Sequence, residues 1–187
     1  MKRIVIFASG SGSNAENIIS FFRKDPAITV AAVLTNKNSA KVLERCDRLG
    51  VPAFYFNGPA FKDSSAIVDL LHGLQTDLVV LAGFLWKIPE NLIEAYPNKI
   101  VNIHPALLPD YGGKGMYGDR VHKAVKDNNE SETGITIHYV NENYDEGAII
   151  FQAKTMIEPT DTPETIAQKV HQLEYEHFPK VIKKLLS

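Results

Sequence analysis

Apolar residues in this chain follow two rhythms. Runs rich in apolar residues at 3–8, 28–34, 77–82 and 99–103 read as strands buried on both faces, and 51–56 reads as another strand. Between them the spacing widens to three and four. Ile18, Ile19 and Phe22 share one face of a helix over 14–24, and 39–49 forms a second helix that Gly50 ends. A loop with Gly58 and Pro59 leads to a third helix over 63–74, and Pro89 opens a short fourth. Past residue 103 the order changes. Residues 105–118 hold four glycines and two prolines without an apolar period, which predicts a loop. A helix follows over 120–127, then strands over 134–140 and 148–157. A long amphipathic helix spans 162–186, with Thr162 as N-cap and Pro163 at its first position. Pro179 lacks an N–H and is expected to kink or break this helix.

Alternating strands and helices predict an α/β fold. The expected architecture is a doubly wound, mostly parallel twisted sheet of about seven strands, with helices on both faces. The late strands, joined only by residues 141–147, are expected to run antiparallel.

A length of 187 residues suits one domain over 1–187. The net charge of −2 offers no basic surface for nucleic acid or an anionic membrane. No apolar run is long enough to span a bilayer, and the one after Met1-Lys2-Arg3 is too short for a signal peptide. The single cysteine, Cys46, cannot form an intrachain disulfide and suits a reducing compartment. A cytoplasmic protein is expected. No histidine, cysteine and carboxylate spacing resembles a zinc site, so no metal is expected.

Three stretches carry candidate chemistry. Ser9-Gly10-Ser11-Gly12-Ser13-Asn14 joins the first strand to the first helix. Glycines admit a ligand close to the backbone, and the helix N-terminus offers free N–H groups to an anion. The second strand ends in Leu34-Thr35-Asn36-Lys37, with no acid for a dinucleotide ribose, and no Gly-Lys-Ser/Thr follows the turn. A phosphate monoester on a small substrate fits better, against the plainer reading of a tight turn. Next, Asn102 and His104 stand two apart at the end of the fifth strand, so they share a face, and Pro105 ends the ladder. Such strand ends are where open α/β sheets bind ligands. Last, Asp145 lies in the 141–147 loop, where its charge would favour an imidazolium on His104.

Together with Leu81-Ala82-Gly83-Phe84, Asn102-Ile103-His104-Pro105-Ala106-Leu107-Leu108-Pro109 and Asp145-Glu146-Gly147-Ala148-Ile149-Ile150, the first turn resembles the glycinamide ribonucleotide formyltransferase family over nearly the whole chain. The resemblance implies a nucleotide-binding half at about 1–100 and a folate-binding, catalytic half at about 101–187. It implies that Gly12, Ser13 and Asn14 hold the substrate phosphate. Leu85, Trp86, Lys87 and Ile88 would line the folate pocket together with Asn102, and Glu174 would stand near the ribose. Asn102, His104 and Asp145 would be catalytic. The family often has an arginine within 85–88 and another near Ser64-Ser65; this chain has neither. Residues 112–118 also depart from the best-known members.

The expected reaction is formyl transfer from 10-formyltetrahydrofolate, as cosubstrate, to the amine of glycinamide ribonucleotide. Asn102 and protonated His104 would stabilise the oxyanion, and Asp145 would raise the His104 pKa and order a water. The expected partners are these two small molecules, with no nucleic acid and no membrane, in a monomer or weak homodimer. A formyltetrahydrofolate hydrolase is one rival reading, and a non-catalytic nucleotide sensor is another. The first has no need of a phosphate cradle, and the second has no use for the three polar side chains.

Overall fold

The computed structural model describes residues 1–187. Its core is a seven-stranded sheet in the order β3-β2-β1-β4-β5-β6-β7. The strands are β1 (Lys2–Phe7), β2 (Ile28–Thr35), β3 (Ala53–Tyr55), β4 (Leu78–Leu81), β5 (Ile100–His104), β6 (Glu132–Tyr139) and β7 (Ile149–Met156). The first five run parallel; β6 is antiparallel to β5, and β7 to β6. The helices are α1 (Ser13–Phe22), α2 (Val42–Leu49), α3 (Gly58–Lys62), α4 (Ala66–Gly73), α5 (Glu90–Ala95), α6 (Asp119–Asp127) and α7 (Pro163–Leu186).

The apolar runs are apolar because both sheet faces are covered. Side chains alternate along β1, so Ile4, Ile6 and Ala8 enter one core while Val5 and Phe7 enter the other. The first core receives Ile18 and Phe22 of α1, Cys46 of α2 and Phe178 of α7. The second receives Phe61 of α3, Leu71 of α4 and Leu92 of α5. Cys46 is a packing residue: burial pushes its thiol up to about 11.

Three expectations are revised. The loop around Gly58 and Pro59 contains the short helix α3, because the Asn57 side chain accepts from the Ala60 N–H at 3.0 Å and Pro59 suits a first turn. The helix expected over 63–74 begins only at Ala66. The long last helix runs unbroken through Pro179. A proline there leaves the carbonyl of Tyr175 without its helical donor. Asn17 on α1 supplies one instead, at 3.0 Å.

Strand order places the site. The chain winds outward from β1 to β3 and then returns to β4 on the other side of β1, so β1 and β4 flank a topological switch point. Ligands bind beyond the carboxyl ends of strands at such points.

Candidate active site

A cavity of about 630 Å³ opens there. It is lined by Ser9 to Ser11 of the turn after β1, by Ser13 and Asn14 of α1, by Gly83 to Leu85 just past β4, and by Asn102 to Pro105 at the end of β5. The 113–118 loop and residues Lys37, Arg120, His122, Tyr144, Asp145, His171 and Glu174 complete it.

Asn102, His104 and Asp145 meet on its wall. Asn102 Nδ2 lies 3.4 Å from Asp145 Oδ1, and His104 Nδ1 lies 3.6 Å from Asp145 Oδ2. The two strand-end side chains therefore address opposite oxygens of one carboxylate. The Gly113 N–H donates to Oδ2 at 3.0 Å and fixes that carboxylate against the loop. Thr136 braces the segment after His104: its hydroxyl accepts from the Leu108 N–H and donates to the Ala106 carbonyl.

A fourth member was not among the expected site residues. His138 pairs directly across from Asn102 in the β5–β6 ladder. Its Nδ1–H donates to the Tyr139 carbonyl at 2.8 Å, so Nε2 is free to accept from Asn102 Nδ2 at 3.1 Å. The register shifts at this point, between Ile137 and His138. Such irregularities recur beside active sites, where they re-aim a side chain.

The histidine and the acid carry different charges. His104 is 3% exposed, and its Nε2–H donates to the Tyr111 carbonyl at 2.8 Å. Burial holds its pKa below the ordinary 6.5; Asp145 and the Tyr111 carbonyl push upward, and His138 pushes down. The expected protonated His104 is thus corrected: desolvation outweighs Asp145, and His104 is neutral at neutral pH. Burial would raise the Asp145 carboxyl, but His138, the Gly113 N–H and, whenever it is protonated, His104 lower it, and the balance lies below its ordinary value. Asp145 is therefore ionised.

The turn expected to hold a phosphate is built from backbone. α1 has Gly12 as its N-cap, with no side chain capping its first N–H groups. The Gly10 carbonyl accepts from Val42 N, and the Ser11 carbonyl accepts from Arg45 Nε at 2.7 Å, so both carbonyls are tied back. Ser9 anchors the neighbouring strand end: its hydroxyl donates to Asn36 Oδ1 and accepts from the Leu85 N–H.

The family model described as "Formyl transferase" matches residues 2–182. The chain belongs to the formyl transferase family. It is 39% identical to the phosphoribosylglycinamide formyltransferase of Bacillus subtilis, over 100% of this chain and 95% of that one. It superposes on a phosphoribosylglycinamide formyltransferase structure from Bacillus halodurans with a TM-score of 0.88 and 39% identity, covering 100% of this chain and 96% of that one. The corresponding structure from Streptococcus pneumoniae gives a TM-score of 0.89 at 34% identity, with both chains fully covered.

In this formyl transferase the remaining expected residues divide. Ser13 and Asn14 line the cavity; Gly12 stands behind them against Val42. Glu174, 5% exposed, faces the cavity and accepts from Asn14 Nδ2 at 2.9 Å. Leu85 reaches the cavity wall with Phe84. Trp86, Lys87 and Ile88 lie off it: Ile88 is buried in the second core, and Trp86 packs against Phe56 and Phe61 with Lys62 over its ring. A second cavity of about 370 Å³ adjoins the first. Gly113, Tyr144 and Asp145 line both, so the carboxylate is reachable from two sides.

Proposed function

We propose that this chain transfers the formyl group of 10-formyltetrahydrofolate to the amine of 5′-phosphoribosylglycinamide, giving the N-formyl product and tetrahydrofolate. One observation carries the reading: the ionised Asp145 bridges Asn102 and His104 on a wall shared by two cavities. A transferase must bring two substrates to one reacting centre, and this arrangement gives each its own approach.

The substrate phosphate rests on the N–H groups of Ser13 and Asn14, with Gly12 shaping the turn, where the α1 dipole favours an anion. Glu174 accepts from the ribose hydroxyls. The 142–147 loop and Leu85 take the folate, with Asn102 beside the formyl group. In this assignment residues 1–100 supply the cradle and 101–187 the chemistry, although Glu174 reaches back into the acceptor side.

The amine attacks the formyl carbon, and the carbonyl oxygen takes up negative charge. Asn102 Nδ2 exchanges its long 3.4 Å bond to Asp145 for that oxygen. Neutral His104 takes the proton that the attacking amine must lose, at Nδ1, beside the Asp145 charge. It then returns this proton to the folate nitrogen as the old carbon–nitrogen bond breaks. The proton count balances without exchange with solvent, and Asp145 keeps the transient imidazolium paired. The two small molecules suffice as partners, and the reaction belongs in the cytoplasm. No helix is long and apolar enough to cross a membrane.

Incubating the protein with both substrates and following folate absorbance tests the assignment. Turnover should require the ribonucleotide; turnover without it would make the protein a hydrolase. His104→Ala and Asp145→Ala, each with an unchanged melting profile, should lose at least roughly 10²–10³ in kcat. Near-wild-type transfer in either variant would overturn the mechanism.

A further inference from the structure

Tyr111 follows His104 in the glycine-rich loop and has φ 56. A bulky L-residue rarely adopts this left-handed conformation unless its surroundings hold it there. Two hydrogen bonds outside the cavity do so. The Tyr111 hydroxyl donates to Glu130 Oε1 at 2.6 Å and accepts from Asn128 Nδ2 at 2.8 Å. Both partners are themselves set by α6: the Asn128 N–H donates to the Ala124 carbonyl, and the Glu130 N–H to the Val125 carbonyl. With the ring anchored outside, the Tyr111 carbonyl points inward to His104 Nε2.

We propose that Tyr111 is a positioning residue for His104: its anchor to Asn128 and Glu130 fixes the carbonyl that keeps the histidine proton on Nε2 and leaves Nδ1 free beside Asp145. A carbonyl 2.8 Å from Nε2 tolerates only a protonated nitrogen, because two acceptors at that distance repel. The hydrogen bond made by one ring nitrogen decides what the other can do. Here it leaves Nδ1 ready to receive a proton. It also supports the imidazolium once that proton arrives, since Nε2–H is already partnered. The charged and titratable groups acting on His104 are Asp145 and His138, with His122 farther off. Beside Tyr111 they are Glu130 and Asp110.

This inference rests on the relay role given to His104 and adds the residue outside the cavity that enforces it. Imidazole nitrogen–proton correlation spectra of the full chain test it, with the His104 signals assigned by their loss in His104→Gln. Wild-type protein should show the Nε2–H form. In Tyr111→Phe, which loses both hydroxyl bonds, the Nδ1–H form should appear and the His104 titration midpoint should fall. Its kcat should drop by roughly tenfold, part of the 10²–10⁴ that a positioned acid–base group supplies, with KM values little changed. Glu130→Gln retains an acceptor and should behave as wild type. If Tyr111→Phe does not fold, the Asn128→Ala, Glu130→Ala pair removes the same anchors and takes the same readout. An unchanged His104 tautomer and midpoint would overturn the proposal. Because this readout needs no turnover, a wild-type protein that fails to transfer formyl would sink the reaction while still reporting on the tether.

Discussion

Asn14 Nδ2 donates to Glu174 Oε2 at 2.9 Å, joining the first turn of α1 to the last helix across 160 positions of sequence. The bond places the turn proposed to hold the phosphate and the acid proposed for the ribose on one wall. Its donor and acceptor come from the two halves of the chain.

That wall has a stability cost. Burial raises the Glu174 carboxyl above its ordinary 4.5, with Asn14 and His171 opposing. A carboxyl raised in the folded state holds its proton more tightly folded than unfolded. Its favourable contribution is complete below about pH 4.5 and is lost as pH rises through the folded value. Glu174→Gln keeps an acceptor for Asn14 without the charge. It should raise the melting temperature at pH 7, leave it unchanged at pH 4, and raise KM for the ribonucleotide. Scanning calorimetry at the two pH values, with saturation curves, checks all three outcomes.

The relay requires neutral His104, so kcat/KM should rise with pH along an acid limb lying below 6.5. Asp145→Asn removes the charge that props up the imidazolium. The limb should then move to still lower pH, while the plateau falls by roughly 10²–10³. A profile of kcat/KM against pH decides this. An acid limb that shifted upward in Asp145→Asn would show that Asp145 does not act on His104 as assigned.

Gly12 has φ 72, and a Cβ there would sit 2.3 Å from Val42 Cγ2 and 2.9 Å from the Val42 backbone. Neither the conformation nor the space admits a side chain. Gly12→Ala should cost roughly 2–4 kcal/mol, from a left-handed alanine plus overpacking against α2. Denaturant titration measures the loss. Val42→Ala should restore only part of it, because the backbone contact and the positive φ remain.

Strand periodicity made the site partly legible. Buried runs gave β1, β4 and β5, and the spacing of two in β5 set Asn102 and His104 on one face. His138 was hidden because its importance depends on register. The alternation in β6 shows which residues share its face, but only the pairing with Asn102 brings the imidazole to the site. The charge of His104 was also illegible. A nearby acid can be read from sequence, whereas the opposing cost of desolvation exists only after burial. The short helix α3 could have been read from Asn57, an N-cap with proline two positions on.

His122 is the second buried imidazole on the cavity wall, and only 2% of it is exposed. On α6 it lies beside Val121 and Val125, which pack into the small third core. Burial drives its pKa from 6.5 to about 4, with His171 and His104 adding to the shift and Asp119 opposing it. The folded state holds this ring neutral, while the unfolded chain protonates it near 6.5. Stability from this group is therefore complete above pH 6.5 and lost as pH falls toward 4. The full loss is about 3 kcal/mol at 1.36 kcal/mol per pH unit. His104 acts in the same direction, so the test is the difference between wild type and His122→Gln. That difference should be flat above pH 6.5 and should shift in favour of the variant between pH 6.5 and 4. The buried Nδ1 of His122 also has no hydrogen-bond partner. An apolar His122→Leu should lose as little on acidification as His122→Gln, since neither binds a proton, and should be the more stable of the two at every pH because it leaves no buried polar atom to satisfy. Urea titrations of the three proteins across this range give the answer, and parallel curves for all three would remove His122 as the source of acid sensitivity.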